Sequence, residues 1–423
     1  MFLLLPVLAI GGSVAPAGDT TRVHFTQAAF VALVEAANPE LTAAREARVV
    51  MSARIGPVHR LPDPMVELGI MNRSLPAFSR ESPVAMDQIR VAQAIPLTGR
   101  IGAATHAAEA RQSAAAAMVE ETRRRLEWRA AADLVELDRL DRTAAVLAEF
   151  GPALASLEEI ARSRYAVGQG VQTEVIRAQY EAARFAEELL SLTAARRGAV
   201  ARLNALAGRP VDARIDSVTL TDPPADLPPL GALAARSART RPLLVARSAT
   251  RAAAGFEVRR ADREQWPDLE LSVTYGQQPM LDRSGTDRMV SLMVGARLPI
   301  WSGSRQREMR REAEAMERMA AADSATAEAD TRARVGELAA VAERNTRLVA
   351  LYRGTLIPQA RAAAQSSLSG YRTGSVDFES VVVGQLAALR AELELVDRRA
   401  ELARVVAELE FLGAVEAPTG ESR

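Results

Sequence analysis

Leu269-Glu270-Leu271-Ser272-Val273-Thr274-Tyr275-Gly276 alternates apolar and polar residues without a break. Strict alternation is the period-2 signal of a β-strand with one apolar face. Val290-Ser291-Leu292-Met293-Val294-Gly295-Ala296-Arg297-Leu298 repeats the pattern a few residues later. The expected strands are 268–276 and 289–298. A strand of roughly 9–11 residues is long enough to cross a bilayer at a tilt. On either side of the pair the period becomes helical. A helix is expected from residue 230 up to the strands, one very long helix over 304–370, and a return helix over 376–412 after the turn Tyr371-Arg372-Thr373-Gly374.

The same order stands earlier in the chain. Arg241-Pro242-Leu243-Leu244 answers Asn38-Pro39-Glu40-Leu41, Trp266-Pro267-Asp268-Leu269 answers Leu61-Pro62-Asp63-Pro64, and Leu298-Pro299-Ile300 answers Ile95-Pro96-Leu97. The turn at Tyr371 answers Tyr165-Ala166-Val167-Gly168, and the offset stays between 203 and 206. That period is too long for a solenoid repeat and marks a duplicated domain-sized unit. The first unit, 24–213, predicts a helix from Thr26, its N-cap, to about Ile55, strands 65–72 and 86–95, a long helix 100–165 and a return helix 171–207. Residues 214–229 read as a linker, 230–413 as the second unit and 414–423 as a flexible tail. Leu140, Leu147, Leu154 and Ala161 give the first long helix a short heptad stretch, and Gly151-Pro152 predicts a kink in it.

Composition narrows the function. Charge balances at 53 against 53, every basic residue is Arg, and there is no Cys. Nucleic acid therefore has no basic footprint to bind, and no disulfide, thiolate or lipidated cysteine exists. Aromatics are only 4%, which suits long helices better than a compact core. Phe2–Val14 is apolar and Ala15-Pro16-Ala17 has the small-x-small form of a cleavage site, so 1–17 reads as a signal peptide, although no Arg precedes Arg22. No other segment holds 18 uninterrupted apolar residues, which excludes a transmembrane helix. His24, His59 and His106 lack metal-ligand spacing, no catalytic constellation can be argued, and no cofactor motif is present. The chain does not read as an enzyme.

Four strands cannot close a barrel, and open edges are prohibitively costly in lipid. Bacterial barrels start at eight strands, so several chains must contribute. Three chains give twelve strands and twelve helical columns, because the two shorter helices of each unit match the long one when stacked end to end. The fold class expected is mostly α with a small β part: a duplicated unit of long antiparallel helices plus two strands, forming a trimeric 12-stranded outer-membrane β-barrel continued by a periplasmic α-helical barrel. A periplasmic coiled-coil scaffold or adaptor is the alternative, but it has no use for such strands.

The ordered set of Asn38-Pro39-Glu40-Leu41, Leu61-Pro62-Asp63-Pro64, the Q-x-I-P-L-x-G-R segment at 93–100 and the two turns resembles the TolC-like outer-membrane efflux family over about 24–413. The L-P-D-P and Q-x-I-P-L-x-G-R segments look most like the branch serving heavy-metal pumps. The resemblance implies a homotrimeric exit duct in the outer membrane of a Gram-negative-type bacterium. It implies two protein partners, a periplasmic adaptor and a proton-driven inner-membrane pump. It also places the two turns at the periplasmic tip, where adaptor hairpins dock and an entrance closes.

Tyr165, Gly168, Gly170, Glu174, Tyr371, Gly374 and Asp377 are the residues the resemblance puts there. The three glycines are expected to supply positive φ for the reversals. Glu174 matches the family's acidic residue after the first turn and Tyr371 its gate tyrosine, while Ser380 stands where the family often has Asp. Glu174 and Asp377 are expected to pair with Arg162, Arg164 or Arg372 across neighbouring helices. Turn chemistry alone would account for the glycines. Met65, Met71, Met86, Met289 and Met293 lie in or beside the strands. Thioethers suit soft metals such as Cu(I), but methionine is also a flexible apolar filler, and filler is the simpler reading.

Overall fold

The computed structural model of the chain describes residues 23–78, 84–220, 226–279, 285–298 and 302–416. The expected signal peptide and residues 417–423 lie outside these. The first unit runs β1 (His24–Thr26), α1 (Gln27–Ala37), α2 (Pro39–Ala53), α3 (Ile55–His59), β2 (Met65–Met71), β3 (Met86–Ile95), α4 (Arg100–Ala166) and α5 (Gln172–Leu206). After β4 (Ser217–Thr219) the second runs α6 (Leu230–Thr240), α7 (Pro242–Arg263), β5 (Asp268–Pro279), β6 (Thr286–Arg297), α8 (Arg307–Leu351), α9 (Ile357–Thr373) and α10 (Phe378–Phe411). Left-handed glycines recur in register: Gly168 (φ 72°) with Gly374 (φ 78°), and Gly208 (φ 64°) with Gly413 (φ 71°).

α4 is 67 residues long, about 100 Å at 1.5 Å per residue. It passes through Pro152 without a break. Its counterpart is interrupted: Tyr352–Leu356 widens to a π turn between α8 and α9. Pro358 explains the site, because it has no N–H to give the carbonyl of Gly354, four residues back.

The single helix expected from Thr26 to about Ile55 is two helices. Asn38 sits at φ −75°, ψ 124°, because a residue preceding proline is driven from the α region. Its Oδ1 accepts from Glu40 N at 2.9 Å and its Nδ2 donates to Leu206 O at 2.9 Å, so one side chain caps α2 and anchors the far end of α5. Arg241 makes the equivalent break before Pro242, but its cap comes from elsewhere. Glu121 of α4 accepts Leu243 N through Oε2 (3.1 Å) and the Arg241 guanidinium through Oε1 (3.3 Å).

The short helices do stack along the long ones. Phe30, Val34 and Leu41 of α1 and α2 meet Ala199 and Leu203 of α5 over Leu126, Leu134 and Leu137 of α4, and these form the main core. Leu233 of α6 meets Leu409 of α10 over Val335 and Leu338 of α8 in the same way. Trp128 stacks on Phe411 at 5.5 Å and joins the units. Two expected boundaries differ. Part of the 214–229 segment is built in, with Ile215 buried and β4 paired in parallel with β1. Ala414, expected in the tail, is buried in the α6–α8–α10 core.

Glu410 lines the crevice between α4 and α10, and burial pushes its carboxyl up to about 7. A raised carboxyl pKa contributes stability below the unfolded value, and the contribution is lost as pH rises through the folded one. Glu410→Gln is therefore expected to raise the melting temperature by about 1–3 °C at pH 8 and leave it unchanged at pH 4. Thermal scans at both pH values check this.

Candidate functional site

The two helix reversals lie side by side at one end of the molecule. α4 closes on Arg164 O, which accepts Gln169 N at 2.9 Å and Gly170 N at 3.1 Å. α9 closes on Gly370 O, which accepts Ser375 N at 2.9 Å. Gly168 and Gly374 hold the left-handed conformation that any L side chain would strain. Gly170 differs from expectation. It has no positive φ; instead a β-carbon there would lie 3.2 Å from Tyr165 N and from Glu174 Oε2. Close packing, not conformation, is what favours glycine at this position.

Tyr371 and Glu174 come together. The Tyr371 hydroxyl donates to Glu174 Oε2 at 3.0 Å, tying the end of α9 to the start of α5. The Arg164 guanidinium lies 4.5 Å over the Tyr371 ring and donates to the Tyr371 carbonyl. Tyr371 is 1% exposed, packed edge-on against Phe378 and among Leu157, Ala161, Ala178, Val381 and Val382. Burial, with the Glu174 carboxylate beside it, pushes the phenol up to about 12, so it remains a donor at physiological pH.

The other sequence candidates do different work. Among the described residues, Glu174 bonds to Tyr371 and to none of the expected arginines. Arg162 pairs with Glu158 of its own helix at 2.5 Å. Asp377 is the N-cap of α10, accepting Ser380 N at 3.3 Å, and this hydrogen bonding holds its carboxyl below the usual range. Ser380 is thus engaged in the cap. Tyr165 stands apart at 47% exposed. Arg164, named from sequence only as a charge partner, is the residue that grips both reversals. Its place one step before Tyr165 gave no sign of that.

At the other end, β2-β3-β5-β6 form one antiparallel sheet, so the two units share it through the β3–β5 pairing. Its faces are the inverse of a soluble protein's. In β5 the polar row is buried, Ser272 at 2% and Thr274 at 8%, while Leu271, Val273 and Tyr275 are exposed. Val66, Leu68, Val290, Leu292 and Val294 are exposed on that same apolar face. On the polar face Arg90 bridges Glu67 (3.3 Å) and Glu270 (2.9 Å) across three strands. The sequence motifs form the collar below. Gln93 donates to Pro62 O at 2.7 Å, Arg263 to Gly99 O at 2.8 Å, and Arg100 pairs with Asp268 at 3.1 Å. Among the described residues no helix is long and apolar enough to cross a membrane.

Solved structures share this architecture. The outer-membrane channel OprN matches with a TM-score of 0.75 and 21% identity, over 92% of this chain and 90% of its own. The outer membrane protein VceC from Vibrio cholerae matches at 0.75 and 19%, over 92% and 96%. CusC, whose structures concern folding and transmembrane channel formation, matches at 0.76 and 11%, over 91% of each chain. No family model and no curated protein matches the sequence. The fold is that of these channels, as the resemblance to the TolC-like family implied.

Proposed function

We propose that this chain is one protomer of a trimeric exit duct in an outer membrane. The duct would receive cargo from an inner-membrane pump through a periplasmic adaptor. One observation carries the reading: a sheet with its apolar row exposed, the polar row of its inner strand β5 buried and both edges, β2 and β6, unpaired among the described residues, mounted on helices about 100 Å long. An exposed apolar row is stable against lipid. Unpaired edges in lipid are not, so copies must pair β6 with the next β2. Two copies would make eight strands, whose interior is filled by side chains. Three make twelve, with room for water along a lumen lined by the Glu67–Arg90–Glu270 ladder. Trp266 and Tyr275, both exposed toward opposite ends of β5, suit the two interfaces of such a barrel.

The test is membrane fractionation with particle mass in detergent, followed by planar-bilayer recording. Outer-membrane localisation, a mass of three chains and discrete conductance steps are expected. A soluble periplasmic monomer would sink the duct and favour the scaffold.

The helical tip would be the entrance. Tyr371 and Arg164 latch the α9–α10 reversal to the α4–α5 reversal, so widening the tip by moving one hairpin breaks the Tyr371–Glu174 bond. A hydrogen bond to a charged group is worth about 1.5–3 kcal/mol, an amount that contact with an adaptor can offset. Tyr371→Phe with Glu174→Gln is expected to raise single-channel conductance with the particle mass unchanged. Equal conductance in parent and variant across a range of salt concentrations would reduce the pair to a packing contact.

A further inference from the structure

The seam between the two units holds a crevice of about 440 Å³, walled by α1, α4, α6 and the end of α10. That volume falls within the range of small-molecule sites, roughly 300–1,000 Å³. Its α4 residues, Arg123 to Ala131, lie on the order of 40 Å along the helix from the sheet. The crevice belongs neither to the strands nor to the helix reversals.

One group in it is unexplained. Glu410 lines the crevice, and its side chain has no hydrogen bond and no ion pair among the described residues. Buried carboxyls are ordinarily paired or hydrogen-bonded, because a desolvated charge is otherwise costly. Three arginines share the crevice, and each is engaged elsewhere. Arg123 serves Glu35 (3.1 Å), Glu120 (2.7 Å) and Glu127. Arg124 serves Glu120 (3.1 Å) and the Thr240 carbonyl (3.2 Å). Arg236 pairs with Glu416 at 2.6 Å. The group left without a counter-charge is the carboxyl.

The wall of the crevice is aromatic. Trp128 and Phe411 both line it, stacked at 5.5 Å with 16° between their planes. Arg241 already stands 5.6 Å from the Phe411 ring, which leaves Trp128 as the ring without a cation among the described residues.

We propose that this crevice binds a small organic cation with a quaternary ammonium head, its charge set against Glu410 and its methyl groups against Trp128. Cation–π attraction is strongest over tryptophan and recognises such heads. A primary ammonium has three N–H donors to satisfy, and the other carboxylates here are held by arginines. A quaternary head needs no acceptor. An anion would meet only arginines that are already paired. A metal ion fits less well: among the described residues no three His, Cys, Asp or Glu side chains are grouped to hold one. The bound cation would touch α4 of the first unit and α10 of the second, clamping the seam. Nothing in this depends on the duct reading.

The charges around the site set its pH dependence. Burial pushes the Glu410 carboxyl up to about 7. Burial and a hydrogen bond with Glu35 push Glu127 up as well. The arginines keep their charge, Glu416 is exposed and paired, and α1 lines the crevice with no charged side chain. The cation favours the carboxylate, so binding tightens as pH rises from 5 to 8 and releases a proton near neutrality.

The test is titration calorimetry of the full chain in a nonionic detergent, with benzyltrimethylammonium as probe. In the parent, binding at pH 8 is expected to be at least tenfold tighter than at pH 5. Glu410→Gln and Trp128→Leu should each weaken it at least tenfold at pH 8. Glu343→Gln, which removes an exposed carboxylate of α8, should change nothing. Glu410→Gln is expected to stabilise the fold at pH 8, so weaker binding in that variant cannot be a folding defect. Equal affinity in Glu410→Gln and the parent, affinity independent of pH, or no saturable binding in the parent would each overturn the site. The result reads the same whether or not the chain proves to be a trimer.

Discussion

An arginine at Leu292 is expected to cost about 2–4 kcal/mol per protomer and to deplete the assembled oligomer, while an arginine at Ser291 costs about 1 kcal/mol or less. The two positions are adjacent in the middle of β6, with the same backbone and the same distance from the hairpin. They differ only in face. Leu292 is paired with Val273 on the apolar side and is 68% exposed. Ser291 is paired with Thr274 on the side that carries Arg90. The contrast is diagnostic because water and lipid predict opposite results for Leu292. On a water-exposed surface, exchanging a largely exposed leucine for arginine is nearly free. In hydrocarbon the guanidinium has no partner within reach. The readout is the fraction of detergent-stable oligomer in membranes from the two variants. Equal depletion, or depletion only at Ser291, would show that the apolar row does not face lipid.

The duplication and the strand faces were legible in the sequence because both are periodic. Gly168 and Gly374, and Gly208 and Gly413, keep the offset of the motifs around them. The break at Asn38 was signalled by Pro39, yet helical spacing on both sides concealed it. β1 and β4 are three residues each and pair across most of a unit, so no local pattern could reveal them. At the tip, position identified Tyr371 and Glu174, but their hydrogen bond and the grip of Arg164 depend on how two distant reversals sit side by side.

Glu121→Ala is expected to cost about 3–5 kcal/mol. Both partners of the pair are withdrawn from water, with side-chain exposures of 12% for Arg241 and 5% for Glu121. Arg241 keeps Thr331 Oγ1 at 2.5 Å and lies 5.6 Å from the Phe411 ring, but neither carries a counter-charge. Removing the carboxylate leaves a buried guanidinium uncompensated and also frees Leu243 N at the start of α7. The first unit supplies an internal control. Asn38 makes the same break with a neutral cap, so Asn38→Ala should cost only about 1–2 kcal/mol. Thermal or urea melts followed by circular dichroism compare the two. If Glu121→Ala proves no worse than Asn38→Ala, the ion pair is not what holds the second unit's helix break. If Glu121→Leu with Arg241→Met restores the parent's stability, the pair contributes specificity rather than net energy, as buried pairs replaced by apolar groups of similar volume often do. Either way the two units reach the same backbone break through different chemistry. Helix geometry, not the Asn or Arg side chain, is then what the duplication has preserved.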